Sequence, residues 1–148
     1  MIKFSPNHMP LVQARLPEIM RSSLISLTSR FGLSNSEWTA LLSSPSHGFY
    51  VSSTLDLLIE ITRVDKKFAA LSFSLHGMPT VIHFGPWLRD VMEKTGCSKA
   101  YAYIFDWETR ESEGLKQLGF ECEVVFREHV HTRDGYQNLL VFGLIEAE

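Results

Sequence analysis

The chain has 148 residues, 45% of them apolar and 21% charged, with a net charge of −3. That is enough for one domain with a full core, and it needs no disulfide or metal staples. The mildly acidic balance gives no electrostatic case for a nucleic-acid or anionic-membrane partner, and no apolar run approaches the roughly 20 residues of a membrane span.

Residues 11–31 read as a helix, because Met20, Leu24, Leu27 and Phe31 recur on one helical face. Pro17 suits its first turn and Gly32 its stop. Ser34-Asn35-Ser36-Glu37 is a capping box that opens a short helix carrying Trp38, Leu41 and Leu42. The breaker cluster 43–48 ends it. Sheet follows: a strand from Leu55 to Thr62, a polar turn at Val64-Asp65-Lys66-Lys67, and a strand from Phe68 to His76. In the second strand Leu71, Phe73 and Leu75 share one face, while Ala70, Ser72 and Ser74 share the other. Phe84, Trp87, Leu88, Val91 and Met92 then mark an amphipathic helix that Gly96 caps.

Ser98 to Asp106 alternates as another strand, with Tyr101, Tyr103 and Phe105 opposite Ala100, Ala102 and Ile104. A polar helix follows from about Thr109 to Leu118. Leu118-Gly119-Phe120 stops it, and a strand runs on through Glu121 to Glu128. A hairpin at Asp134-Gly135 leads to a closing strand, Asn138 to Leu144. The chain thus reads as one α/β (α+β) three-layer domain, with a mixed, mostly antiparallel sheet flanked by helices. Its N-terminal part, 1–48, is expected to be helical. Cys97 and Cys122 match no metal-ligand or redox spacing, so they read as reduced thiols of a cytoplasmic protein. The N-terminus lacks the apolar stretch of a secretion signal.

The segment from Glu111 through Leu118-Gly119-Phe120 to Arg127-Glu128, with the hairpin after it, resembles the C-terminal half of the Gcn5-related N-acetyltransferases (the GNAT family). The likeness covers about residues 50–146. It implies a fold in which the strands 68–76 and 98–106 run side by side and then part. Acyl-coenzyme A, typically acetyl-CoA, would enter between them, with its pyrophosphate on amides at the N-terminus of the intervening helix. The backbone of Leu75, His76 and Gly77 would face the acyl group, and Phe84 and Gly85 the pyrophosphate. The segment Thr95 to Lys99 and the Leu-Gly-Phe stop also resemble acetyltransferase-like proteins of tailed phages, which implies a phage origin.

Three positions depart from the family pattern. Its cofactor loop reads glutamine or arginine-x-x-glycine-x-glycine or alanine. Here that stretch is Met78 to Pro86, with one glycine, no arginine, and a proline that has no N–H to offer. A family asparagine becomes Glu108, a carboxylate expected to repel a ligand phosphate. The tyrosine that protonates the leaving thiolate falls at Leu115.

Glu60 and His76, on strands expected to border the gap, are the candidate bases, against readings as a solvated carboxylate and a turn histidine. Tyr101 and Tyr103 could supply the lost acid or simply pack. His129-Val130-His131 would share a face if extended, but with no third ligand at a familiar spacing they read as surface histidines, and no metal is assigned. The run Arg110 to Glu113 reads as a solvated helix face.

Three functions remain open: an N-acyltransferase acting on an amine acceptor, a non-catalytic binding or virion protein of the same fold, and an enzyme with an altered acyl donor. Phe84 and Trp87 are candidates to plug the gap in a non-catalytic member. The apolar closing strand would invite a homodimer if it lay at a sheet edge.

Overall fold

Alternation in the middle and at the end of the chain produces a mixed sheet that has seven strands among the described residues. The computed structural model describes residues 2–3, 36, 40, 48–52, 57–132 and 135–145. The strands are β1 (Ile2–Lys3), β2 (Gly48–Val51), β3 (Leu58–Asp65), β4 (Ala70–His76), β5 (Lys99–Phe105), β6 (Glu121–Thr132) and β7 (Gly135–Ile145). They lie in the order β1-β2-β3-β4-β5-β7-β6, and every neighbouring pair is antiparallel except β4 with β5. That parallel pair needs a crossover, which α1 (Phe84–Thr95) supplies. The second described helix, α2 (Thr109–Gln117), joins β5 to β6.

The fold class is the one expected from the sequence, with differences of detail. The β3–β4 turn falls later than Val64 to Lys67, because Asp65 Oδ1 accepts the N–H of Lys67 at 3.1 Å and of Phe68 at 3.2 Å. Phe68 is therefore in the turn and β4 starts at Ala70. Residues 1–48 are not wholly helical: Ile2 and Lys3 pair with Val51 and Tyr50. Ser36 and Ala40 are helical, while the remainder of both expected N-terminal helices, Trp38 included, lies outside the described residues.

The core forms where α1 and α2 cover one sheet face. Leu71, Phe73 and Leu75 of β4 meet Ala100, Ala102 and Ile104 of β5 there, under Phe84, Leu88, Met92 and Leu115. Phe73 touches Phe84 at a ring-centroid distance of 5.7 Å and takes the edge of Phe120 at 6.0 Å. The Leu-Gly-Phe stop makes the second contact possible. Gly119 turns with φ +95°, Phe120 N–H bonds back to the Leu115 carbonyl at 3.0 Å, and the ring drops into the core. Burying each such side chain contributes about 2–3 kcal/mol.

Candidate active site

The β4/β5 register runs from Ala70↔Lys99 to Ser74↔Tyr103 and stops, although β4 continues to His76 and β5 to Phe105. Beyond that last pair the two strands part. The resulting gap is furnished with polar groups from the first turns of α2. Gly77, just past β4, donates its N–H to Glu111 Oε1 at 2.9 Å. Phe105, at the end of β5, donates its N–H to Glu108 Oε2 at 2.9 Å. The two glutamates stand three residues apart, so one helix end bridges both sides of the gap. Close packing holds it there: a Cβ on Gly114 would come within 2.6 Å of the Pro79 carbonyl.

These contacts correct two readings. Glu111 is not on a solvated face, since it is only 2% exposed. The spacing Glu108, Glu111, Leu115 puts it on the helix face that carries buried Leu115, and that was the available signal. Nor does Glu108 present a repelling carboxylate. It is 3% exposed, and burial pushes its carboxyl up to about 9; nearby Glu111 adds to the rise and the Phe105 amide opposes it. At neutral pH Glu108 is a neutral acid.

The N-terminus of α1 is occupied by its own loop. Phe84 and Gly85 both donate their N–H groups to the Thr80 carbonyl, at 2.9 and 3.2 Å, and His83 N–H bonds Thr80 Oγ1 at 3.2 Å. Pro86 has no donor. The amides expected to face a pyrophosphate are therefore engaged within the protein. The Phe84 ring lies in the core, and Trp87 packs on Tyr50 at 5.1 Å and on Phe84 at 5.7 Å. Neither is placed at the gap; the side chains that reach its two sides are Glu108 and Glu111.

Glu60 is on β3, one strand away from the gap, opposite Ser74. It is 8% exposed, which rules out the solvated reading. Phe49, Glu60, Ser74 and Tyr103 are successive cross-strand neighbours on β2, β3, β4 and β5. Their row faces away from α1 and α2, because the alternate residues Ile59, Phe73 and Ala102 fill the core. The Leu75 side chain is in the core, so only its backbone can serve the gap, and His76 is the last residue of β4, paired with Leu58.

Three buried side-chain atoms among the described residues have no hydrogen-bond partner: Ser74 Oγ, Trp107 Nε1 and Glu108 Oε1. Ser74 belongs to the last β4/β5 pair. Trp107, stacked on Phe105 at 4.5 Å, and Glu108 belong to the segment that leaves β5.

Other candidates fall away. His129 packs on Phe126 at 5.3 Å and His131 on Tyr136 at 4.9 Å, and no cluster of three metal-type ligands occurs among the described residues. A groove of about 410 Å³ lies at the far end of α1, but its cations are paired, Arg63 with Asp65 at 2.8 Å and Lys94 with Asp90 at 2.7 Å. Cys97 and Cys122 are free thiols. No helix among the described residues is long and apolar enough to cross a membrane.

No protein-family model and no curated protein matches the chain. Solved structures do. An acetyltransferase of the GNAT family from Bacillus anthracis superposes with a TM-score of 0.69 at 8% identity, covering 99% of this chain and 93% of that one. The protein yncA of Salmonella typhimurium, classed as an acetyltransferase and solved with its cofactor acetyl-CoA, gives 0.69 at 10% identity, covering 98% and 92%. A chimera of the spermidine N-acetyltransferase SpeG from Vibrio cholerae and hSSAT gives 0.65 at 11% identity, covering 98% and 94%. At such low identity the likeness speaks for architecture: this chain has the fold of the GNAT acetyltransferases.

Proposed function

We propose that the protein is an acyl-coenzyme A-dependent N-acyltransferase that takes a thioester between β4 and β5 and passes its acyl group to an amine. The observation that carries this reading is the parting of the parallel β4/β5 pair after Ser74↔Tyr103, in a fold shared with a protein solved with acetyl-CoA. The residues present fit one end of such a ligand better than the other. Orphaned Ser74 Oγ and Glu108 Oε1 suit a polar acyl arm. The α1 terminus offers no amide from Phe84 or Gly85 to a pyrophosphate.

When bound, acyl-CoA supplies an activated thioester, so the chain's task is mostly alignment. Glu60 is the proposed base, with His76 as the alternative, taking a proton from the acceptor amine as nitrogen attacks. Leu75, His76 and Gly77 would offer backbone hydrogen bonds to the acyl oxygen once Gly77 N–H is released from Glu111.

Isothermal titration with acetyl-CoA tests the proposal. Micromolar binding supports it, and a screen of amine acceptors with Glu60→Gln and His76→Ala follows. No binding at millimolar acetyl-CoA ends it. One observation favours a second reading, a non-catalytic protein of this fold that engages a protein partner. Three amides that an acyl-CoA would need, those of Gly77, Phe84 and Gly85, are bonded within the chain.

A further inference from the structure

The segment between β4 and α1 is fastened by a few polar bonds and has little apolar cover. Gly77 turns out of β4 with φ +102° and gives its N–H to Glu111 Oε1 at 2.9 Å, a buried bond between residues 34 apart in sequence. Pro79 is buried beside Gly114. At the α1 end the Thr80 carbonyl takes the amides of Phe84 and Gly85. Residues 80–83 are all exposed, and Ile82 leaves 78% of its surface in water. Side chains without cover do little to hold a segment in place, so its position depends on those bonds. Glu111 also has a second seat. Its Oε1 stands 4.0 Å from the guanidinium of exposed Arg110, whereas Glu111 itself is buried. A carboxylate that lets go of the Gly77 amide therefore turns toward a cation at the solvent edge. It escapes the costlier fate of a buried charge without a partner.

We propose that Glu111 is an autoinhibitory latch on the 77–83 segment. Bonded to Gly77, it holds the segment closed against α2, and the amides of Gly77, Phe84 and Gly85 stay on the protein's own acceptors. Turned to Arg110, it lets the segment swing out, and the three amides become available to a ligand together. Two arrangements of one side chain thus set two states of the segment. A ligand that needs these donors competes with the latch, so its apparent affinity is the intrinsic one reduced by the fraction of open molecules. Glu108 takes no part. It bonds the Phe105 amide on the other side of the gap, which makes that amide an internal control. The identity of the ligand as an acyl-CoA rests on the acyltransferase reading, and the latch itself does not.

Acetyl-CoA is titrated calorimetrically into the wild type, Glu111→Gln, Glu111→Asp and Glu111→Ala, and NMR follows amide hydrogen exchange in the free proteins. Glutamine keeps an acceptor oxygen at the same reach, aspartate is one methylene short, and alanine has no acceptor. The expected result is acetyl-CoA binding about five- to tenfold tighter in Glu111→Asp and Glu111→Ala than in the wild type, with Glu111→Gln within about twofold of it. In the two unlatched variants Gly77, Phe84 and Gly85 should lose protection together, while Phe105 keeps its own. If alanine at this position unfolds the chain, the aspartate variant carries the comparison. Measurable binding that is equal or weaker in the unlatched variants overturns the latch and keeps the acyltransferase reading. Exchange that rises at Gly77 alone also overturns the latch, because the segment then does not move as one. Concerted loss of protection with no acetyl-CoA binding in any of the four proteins keeps the latch and removes the coenzyme.

Discussion

The parting of β4 and β5 and the outer side of β6 both leave strand backbone without a neighbouring strand, and the chain treats the two in opposite ways. At the parting of β4 and β5, the amides of Gly77 and Phe105 are met by buried glutamates of one helix. At the outer edge, β6 is paired only with β7, and Glu121 to His129 are all exposed. No helix covers that edge among the described residues. It is instead interrupted by irregularities between Cys122 and Val124 and between Phe126 and Val130. In the second, Glu128 takes φ +48°, and its N–H bonds Asn138 Oδ1 at 2.9 Å. The interior gap is flanked by buried polar groups, so opening it costs specific hydrogen bonds. The edge is exposed, with Val124, Val125 and Phe126 set among charged residues, and bulges interrupt the backbone that another strand would have to pair with.

The largest test of this contrast removes the close approach that sets α2 over the gap. Gly114→Val would drive a side chain into the Pro79 backbone, with Cβ already 2.6 Å from its oxygen. It should cost about 3 kcal/mol or more in urea unfolding. Gly143→Ala is the control near the edge. Its Cβ meets only the carboxylate end of Glu123, at 2.5 Å, which can swing aside, so the loss should stay under about 1 kcal/mol. Similar losses at the two sites would mean that α2 is not pinned.

Next comes Glu111→Ala, which leaves the Gly77 N–H buried without its acceptor and should cost about 1–3 kcal/mol. Hydrogen exchange at Gly77 should accelerate well beyond that at Phe105, whose acceptor is intact. Exchange that rises equally at both amides would show that the two glutamates act as one unit rather than separately.

Glu108→Gln should act through pH. The free carboxyl ionises near 4.5 and the folded one near 9. Between those values unfolding releases a proton, so the stability this group contributes is full below about pH 4.5 and declines as pH rises toward 9. Glutamine has no proton to release. The variant should be the more stable form by about 1–2 kcal/mol at pH 8, and the two should converge near pH 5. Parallel melting-temperature profiles from pH 5 to 9 would show that Glu108 ionises normally.

The reach of sequence reasoning follows the same contrast between local and non-local causes. The spacing of Phe84, Leu88 and Met92 fixes which face of α1 is buried, and alternation in β4 and β5 fixes which face of the sheet receives it. Those patterns are local, and they were legible. The apolar closing strand was legible as a strand but not as to position. β7 folds back between β5 and β6, which buries Leu139, Val141 and Phe142 and leaves β6 as the edge. Strand order depends on pairings between residues far apart in the chain, and composition does not encode them. The glutamates differ from expectation for a related reason: a charged letter suggests solvent, the spacing to Leu115 marks the buried face, and the approach of Gly114 to Pro79 is the non-local contact that seats Glu111 inside. The gap itself follows from the resemblance, and what fills it does not.

The smallest expected effect is at the edge. Val125 is 47% exposed between exposed Val124 and Phe126, so Val125→Lys removes little packing and should change stability by no more than about 0.5 kcal/mol. Its effect should appear in association instead. A lysine on an edge strand must lose hydration if another strand pairs beside it, which disfavours edge-to-edge contact. If two copies meet through β6, sedimentation at rising concentration should show dimers for the wild type and monomers for the variant. If bulges at either end of Val124 to Phe126 already block that edge, both proteins sediment alike. Any dimer that persists in the variant must then use a surface other than β6. The closing strand β7 is not available for it, because β5 and β6 already hold both of its sides.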